Sequence, residues 1–123
     1  MPNITIDYTA NLRGMFVPQD LVAALHRGAV ACETFPITGI RVFCRESEHF
    51  VVAHGERDEG FVQIQVRIAP GRSDVLKRRI AETLLAAAEN ALEPVFATRS
   101  VGLQLEVTEF ADAFTVRKST LKD

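Results

Sequence analysis

Three short stretches of this chain carry residues able to move a proton or hold an anion. The first is Met1-Pro2. Once Met1 is removed, the Pro2 nitrogen is a secondary amine rather than an amide, and an ordinary α-amino group titrates at about 7.7–8.0. Burial and nearby arginines would favour its neutral, basic form and make a proton shuttle near neutral pH. Met-Pro starts are common, however, and a proline is harmless at the head of a strand, so Pro2 acquires a chemical reading only in company.

The second stretch is Gly71-Arg72-Ser73-Asp74. Glycine permits a sharp turn, Arg72 projects from it, and a helix start adds partial positive charge. A fork of donors could grip a carboxylate there, with Lys77, Arg78 and Arg79 strengthening the local field. The plainer reading, an arginine on a turn before a solvated basic helix face, stands beside it. The third stretch is Phe35-Pro36-Ile37-Thr38-Gly39-Ile40-Arg41, which delivers Arg41 at the start of a strand. A second guanidinium suits the far end of a dicarboxylate. The alternative is a surface arginine paired with a neighbouring acid.

The other polar residues offer no rival chemistry. Cys32 and Cys44 lack CxxC spacing and read as buried thiols of a reducing compartment. His26, His49 and His54 form no ligand cluster with them and have no serine or cysteine partner in a nucleophile motif, so no metal is expected. Glu106 and Glu109 fall on the polar face or end of a strand, and Gly55 and Gly60 flank charge rather than a phosphate loop. A chain of 123 residues, 47% hydrophobic and 24% charged, suits one globular domain. Its net charge of −2 argues against a nucleic-acid partner. No run is long enough to cross a bilayer, and Met1 to Asp7 lacks a basic region followed by an apolar core. A cytoplasmic protein with no membrane partner is expected.

Hydrophobic periodicity supplies the elements that must position these residues. Ile4, Ile6 and Tyr8 alternate with Asn3, Thr5 and Asp7, a strand with one buried face. Pro18 suits a first helical turn, followed by Leu21, Leu25, Ala29 and Cys32 at helical spacing until Phe35-Pro36 stops the run. Ile40 to Arg45 reads as a short strand, with Phe50 to Ala53 returning against it and Gly55 to Gly60 as a loop. Phe61 to Ala69 alternates clearly and ends at Pro70-Gly71. Ser73 is a natural N-cap, and Leu76, Ile80, Leu84, Ala87 and Ala91 mark the buried stripe of a long helix broken near Pro94. Val101 to Phe110 is a last strand before a polar tail. The order gives two related βαβ halves, a four-stranded sheet with both helices on one face. The other face is left needing a partner, for which identical subunits are the simplest supply, with apolar residues available for both faces.

In this order and spacing the stretches resemble the tautomerase superfamily, and within it the 5-carboxymethyl-2-hydroxymuconate isomerase family of bacterial aromatic catabolism. The resemblance is carried by Met1-Pro2 with its strand, by Phe35 to Arg41, and by Phe61 to Ser73 with the following helix. Gly71-Arg72-Ser73-Asp74 followed by Lys77 is also similar to the loop and helix start of 4-oxalocrotonate tautomerase.

The resemblance implies an α+β domain over residues 1–123, with halves near 1–59 and 60–123, assembled as a homotrimer with active sites near subunit boundaries. It implies Pro2 as general base and acid, Arg72 as a catalytic and substrate-binding arginine, and Arg41 as a second binding arginine for a small dicarboxylate. The implied reaction converts 5-carboxymethyl-2-hydroxymuconate to its 2-oxo-hexenedioate isomer. That chemistry needs one base that returns what it takes and positive charge where a dienolate builds up, with no metal or other cofactor. Some members carry a further arginine two residues beyond the first; here Phe43 stands there, with Arg45 after it. Phe43 leaves room for another 2-oxo-acid tautomerase or decarboxylase of the superfamily. A retained Met1 would instead suit a non-catalytic oligomeric binding module. Residues 46–59 and the tail after Phe110 match nothing securely.

Overall fold

A computed structural model describes residues 2–122. In chain order the elements are β1 (Asn3–Thr9), α1 (Pro18–Ala31), β2 (Arg41–Ser47), β3 (Gly60–Ile68), α2 (Asp74–Ala91), α3 (Glu93–Thr98) and β4 (Val101–Glu109). The strands form one sheet in the order β2-β1-β3-β4. β1 runs parallel to β2, and β3 parallel to β4, so each α-helical crossover joins a parallel pair. The two βαβ units meet through β1 and β3, which are antiparallel. The fold is the α+β arrangement expected from the alternation of periods.

The core lies between the sheet and the two long helices. Ile4, Ile6, Val62, Ile64, Val66 and Ile68 present one continuous face, fully shielded from water. Leu21, Leu25 and Ala29 from α1 and Ile80, Leu84 and Ala88 from α2 cover it. Gly28 lets the helices approach closely, since a Cβ there would lie 3.1 Å from Leu84 Cδ2. Pro18 begins α1, and the Ser73 hydroxyl caps α2 by accepting from the Leu76 amide at 3.2 Å. Pro94 falls in the first turn of α3, just after α2 ends, because a proline inside the longer helix would lack the amide its ladder needs.

Three expectations need correction. Phe50 to Ala53 does not return against β2. Positive φ angles at Ala53 (53°) and Gly55 (76°) curl the segment into turns, and the Gly55 amide donates to the Val52 carbonyl at 3.0 Å. β2 starts at Arg41 and extends to Ser47, because Ile40 closes a short 3-10 turn. The uncovered sheet face is polar rather than apolar: the register sets Arg41, Asn3, Arg67 and Thr108 in one cross-strand row, with Thr5, Gln65 and Glu106 sharing the next with Phe43. Among the described residues, no helix is long and apolar enough to cross a membrane.

Ile64 sits at the centre of this core, beside Ile6 on β1 and Leu105 on β4. Ile64→Ala should lower unfolding free energy by about 2–5 kcal/mol. Urea denaturation checks this; a loss under about 1 kcal/mol would mean the site collapses around the missing atoms.

Candidate active site

The antiparallel pairing of β1 with β3 sets Asn3 opposite Arg67, so the head of β1 lies beside the end of β3 and the turn that follows it. The parallel pairing of β1 with β2 sets Asn3 opposite Arg41. Pro2, Arg41 and the turn bearing Arg72 therefore share one end of the sheet. Pro2 is buried, and its carbonyl accepts from the Arg41 amide at 3.1 Å. Half-buried Arg41 also donates from one terminal guanidinium nitrogen to Asn3 Oδ1 at 3.3 Å.

Arg72 is held more firmly than its sequence context suggests. Gly71 turns at φ 114°, a backbone region that side chains avoid, and this swings the chain from β3 toward α2. The Arg72 Nε donates to Thr34 Oγ1 at 3.0 Å, and its terminal nitrogens donate to the Thr34 carbonyl at 2.8 Å and the Ala69 carbonyl at 3.4 Å. Its guanidinium carbon lies 4.8 Å from the centroid of the Phe35 ring. Of the five N–H groups a guanidinium carries, these bonds use three, leaving one on each terminal nitrogen. Arg72 thus clamps the β3–α2 turn to the loop after α1, while keeping two donors for an anion.

The neighbouring basic run contributes less. Lys77 lies 3.3 Å from Asp74 and 3.7 Å from Glu109, and Arg78 lies 3.7 Å from Glu82 along the helix. Those carboxylates cancel much of the field expected from Lys77 and Arg78. Arg45 lies beyond Phe43 on β2 and is bonded to Asp7 at 3.1 Å, away from the Pro2 end. Phe43 is 56% exposed on the polar face.

The other reactive groups lie elsewhere. Burial, helped by Asp7, pushes the Cys44 thiol up to about 11, and burial also raises Cys32, so both are poor nucleophiles at neutral pH. At the far end of β1, the Arg13 guanidinium holds the Glu46 carboxyl below its usual range, and the Tyr8 hydroxyl donates to the same carboxylate at 3.2 Å. Burial and then Glu46 raise Tyr8. This network ties β2 to the turn after β1, and nothing in residue spacing announced it. The Thr34 anchor was equally hidden, although the adjacent Phe35-Pro36 marks the end of the helical run. Among the described residues, no group of three or more His, Cys, Asp or Glu side chains could hold a metal ion.

The family model of 5-carboxymethyl-2-hydroxymuconate isomerase matches residues 2–123. A crystal structure of 5-carboxymethyl-2-hydroxymuconate delta-isomerase superposes with a TM-score of 0.90 at 26% identity, covering 97% of this chain and 89% of that one. A 5-carboxymethyl-2-hydroxymuconate isomerase from Deinococcus radiodurans R1 superposes with a TM-score of 0.88 at 29% identity, covering 97% and 90%. A fused 4-OT described as a symmetric trimer shares the fold at 20% identity and a TM-score of 0.62, covering 85% of each chain. No curated protein sequence matches.

Arg72→Lys keeps the charge but cannot span Thr34 and Ala69 with one ammonium. It should lower unfolding free energy by about 1.5–3 kcal/mol, the range for a bond to a charged group. A variant with an unchanged denaturation midpoint would show that the clamp is decorative.

Proposed function

This chain belongs to the 5-carboxymethyl-2-hydroxymuconate isomerase family, an isomerase of the tautomerase superfamily, and from that premise we propose that it converts 5-carboxymethyl-2-hydroxymuconate to its 2-oxo-hexenedioate isomer through the free amine of Pro2. Removal of Met1 exposes that amine. The neutral nitrogen takes the proton of the 2-hydroxyl group, leaving a dienolate, and the resulting ammonium returns the proton to a carbon of that dienolate. Atoms and charge balance without an added reactant. Arg72 offers its two remaining N–H groups to the developing negative charge, and Arg41 grips a carboxylate of the substrate. Burial of Pro2, at a sheet end that also carries Arg41 and Arg72, disfavours a further positive charge, so the amine rests in its basic form.

One observation carries this reading: the Arg41 amide donates to the Pro2 carbonyl at the sheet end that also bears the Arg72 turn. Base and cations are thereby fixed to the same backbone. The assembly is proposed to be a homotrimer acting in the cytoplasm. Supporting a trimer are the fused 4-OT described as one, the two outer strands β2 and β4, and the large apolar side chains left in water, with Val51 81% and Phe114 88% exposed.

A methionine retained in front of Pro2 turns the basic nitrogen into an amide without touching the fold. With N-terminal identity verified by mass, the retained-methionine protein should lose nearly all turnover of the muconate. Pro2→Ala, which keeps a primary amine, should retain part of it. Full activity in the blocked protein would falsify the proline mechanism. The processed and blocked proteins should both sediment as trimers; a monomer in dilute buffer would remove the assembly from the account.

A further inference from the structure

The tail after β4, which the family model spans to residue 123, returns to the candidate site. The Phe110 amide donates to the Ile68 carbonyl at 3.0 Å, which fastens the tail's origin to the end of β3. A short 3-10 turn at Asp112–Phe114 redirects the chain. Residues 116–121 then lie beside Arg41, so the tail crosses from the β4 edge of the sheet to the β2 edge at the end where Pro2 heads β1.

Between the tail and Arg41 is a groove of about 510 Å³. Its walls carry three cations, Arg41, Arg117 and Lys118, and the hydroxyls of Ser119 and Thr120. Among the described residues no carboxylate lines it. In a chain of net charge −2, three cations gathered along one groove favour an anionic ligand there. The Arg117 guanidinium lies 5.1 Å from the ring centroid of buried Phe110, a contact that favours this placement.

We propose that Arg117 and Lys118, with Arg41, form the subsite for the substrate carboxylate remote from the reacting enol. The inference rests on the isomerase reading given above. A muconate bearing a carboxymethyl arm carries three carboxylates, one more than the dicarboxylate expected from sequence, whereas Arg72 has only two N–H groups left to give. The tail supplies the positive charge that Phe43 does not, and it selects the carboxymethyl arm.

The Arg117→Gln, Lys118→Gln double variant of the full, processed chain tests this, because both side chains are exposed and the sheet is untouched. On 5-carboxymethyl-2-hydroxymuconate its KM should rise by about ten- to a hundredfold, with kcat little changed. On the same dienol diacid without the carboxymethyl arm, the rise should be much smaller. Calorimetric binding of tricarballylate, an unreactive tricarboxylate, should weaken in parallel. An unchanged KM, or an equal rise on both substrates, overturns the assignment. If the wild-type protein turns over neither compound, the isomerase reading fails by itself, and tricarballylate still decides the groove. Binding lost in the variant supports the subsite; binding absent from the wild type, or equal in both proteins, overturns it.

Discussion

The ladder joining β1 to β3 runs antiparallel, with Asn3 opposite Arg67 and Tyr8 opposite Val62, and the position of every candidate residue follows from it. Within each βαβ unit the strands are parallel, so the start of β1 lies with the start of β2, and the end of β3 with the end of β4. Antiparallel joining then superimposes the two kinds of end. A chain start, a strand start, a turn and the root of the tail meet at one rim of the sheet. The ladder itself is protected by the apolar face beneath it, where Ile4, Ile6, Ile64 and Val66 are wholly buried. A slip of one residue would turn those side chains to water, so core packing also fixes the register that brings Pro2 to Arg41.

Arg72 holds that rim together, and in the proposed reaction it also serves the chemistry. Its bonds to Thr34 and Ala69 and its place over Phe35 hold the guanidinium in place. A donor already oriented costs no reorganisation when charge develops, which is the main source of electrostatic rate enhancement. The same contacts bind the loop after α1 to the β3–α2 turn, and that loop leads directly into Arg41. Losing Arg72 would therefore disturb both guanidinium positions, one by deletion and one through the loop. The carboxylates at Lys77 and Arg78 keep the remaining helix charge local.

Regular periods made the sheet and helices legible from sequence. Ile4-Ile6-Tyr8 and Ile64-Val66-Ile68 alternate because one sheet face meets the helices and the other does not. Ser73 and Pro18 mark helix starts through their own backbone chemistry. Pro2, Arg41 and Arg72 stood out because they flank such elements. What escaped notice depends on contacts far apart in the chain. Thr34 meets Arg72 across 38 positions, and Tyr8 meets Glu46 across another 38. Residues 48–59 and the tail have no hydrophobic period, so their paths are set by individual turns such as those at Ala53 and Gly55. The polar character of the open sheet face was written in Asn3, Thr5, Gln65 and Glu106, but only the register shows that they share it with Arg41.

In the proposed mechanism the amine of Pro2 is neutral and basic because it is buried at the sheet end that carries Arg41 and Arg72. Nitrogen NMR of the processed protein, labelled at proline and titrated with pH, reads that amine directly. The account predicts an apparent pKa below the ordinary α-amino range of about 7.7–8.0, rising when Arg41 or Arg72 is replaced by a neutral residue of similar size. A value within or above that range, unmoved by either replacement, would contradict it.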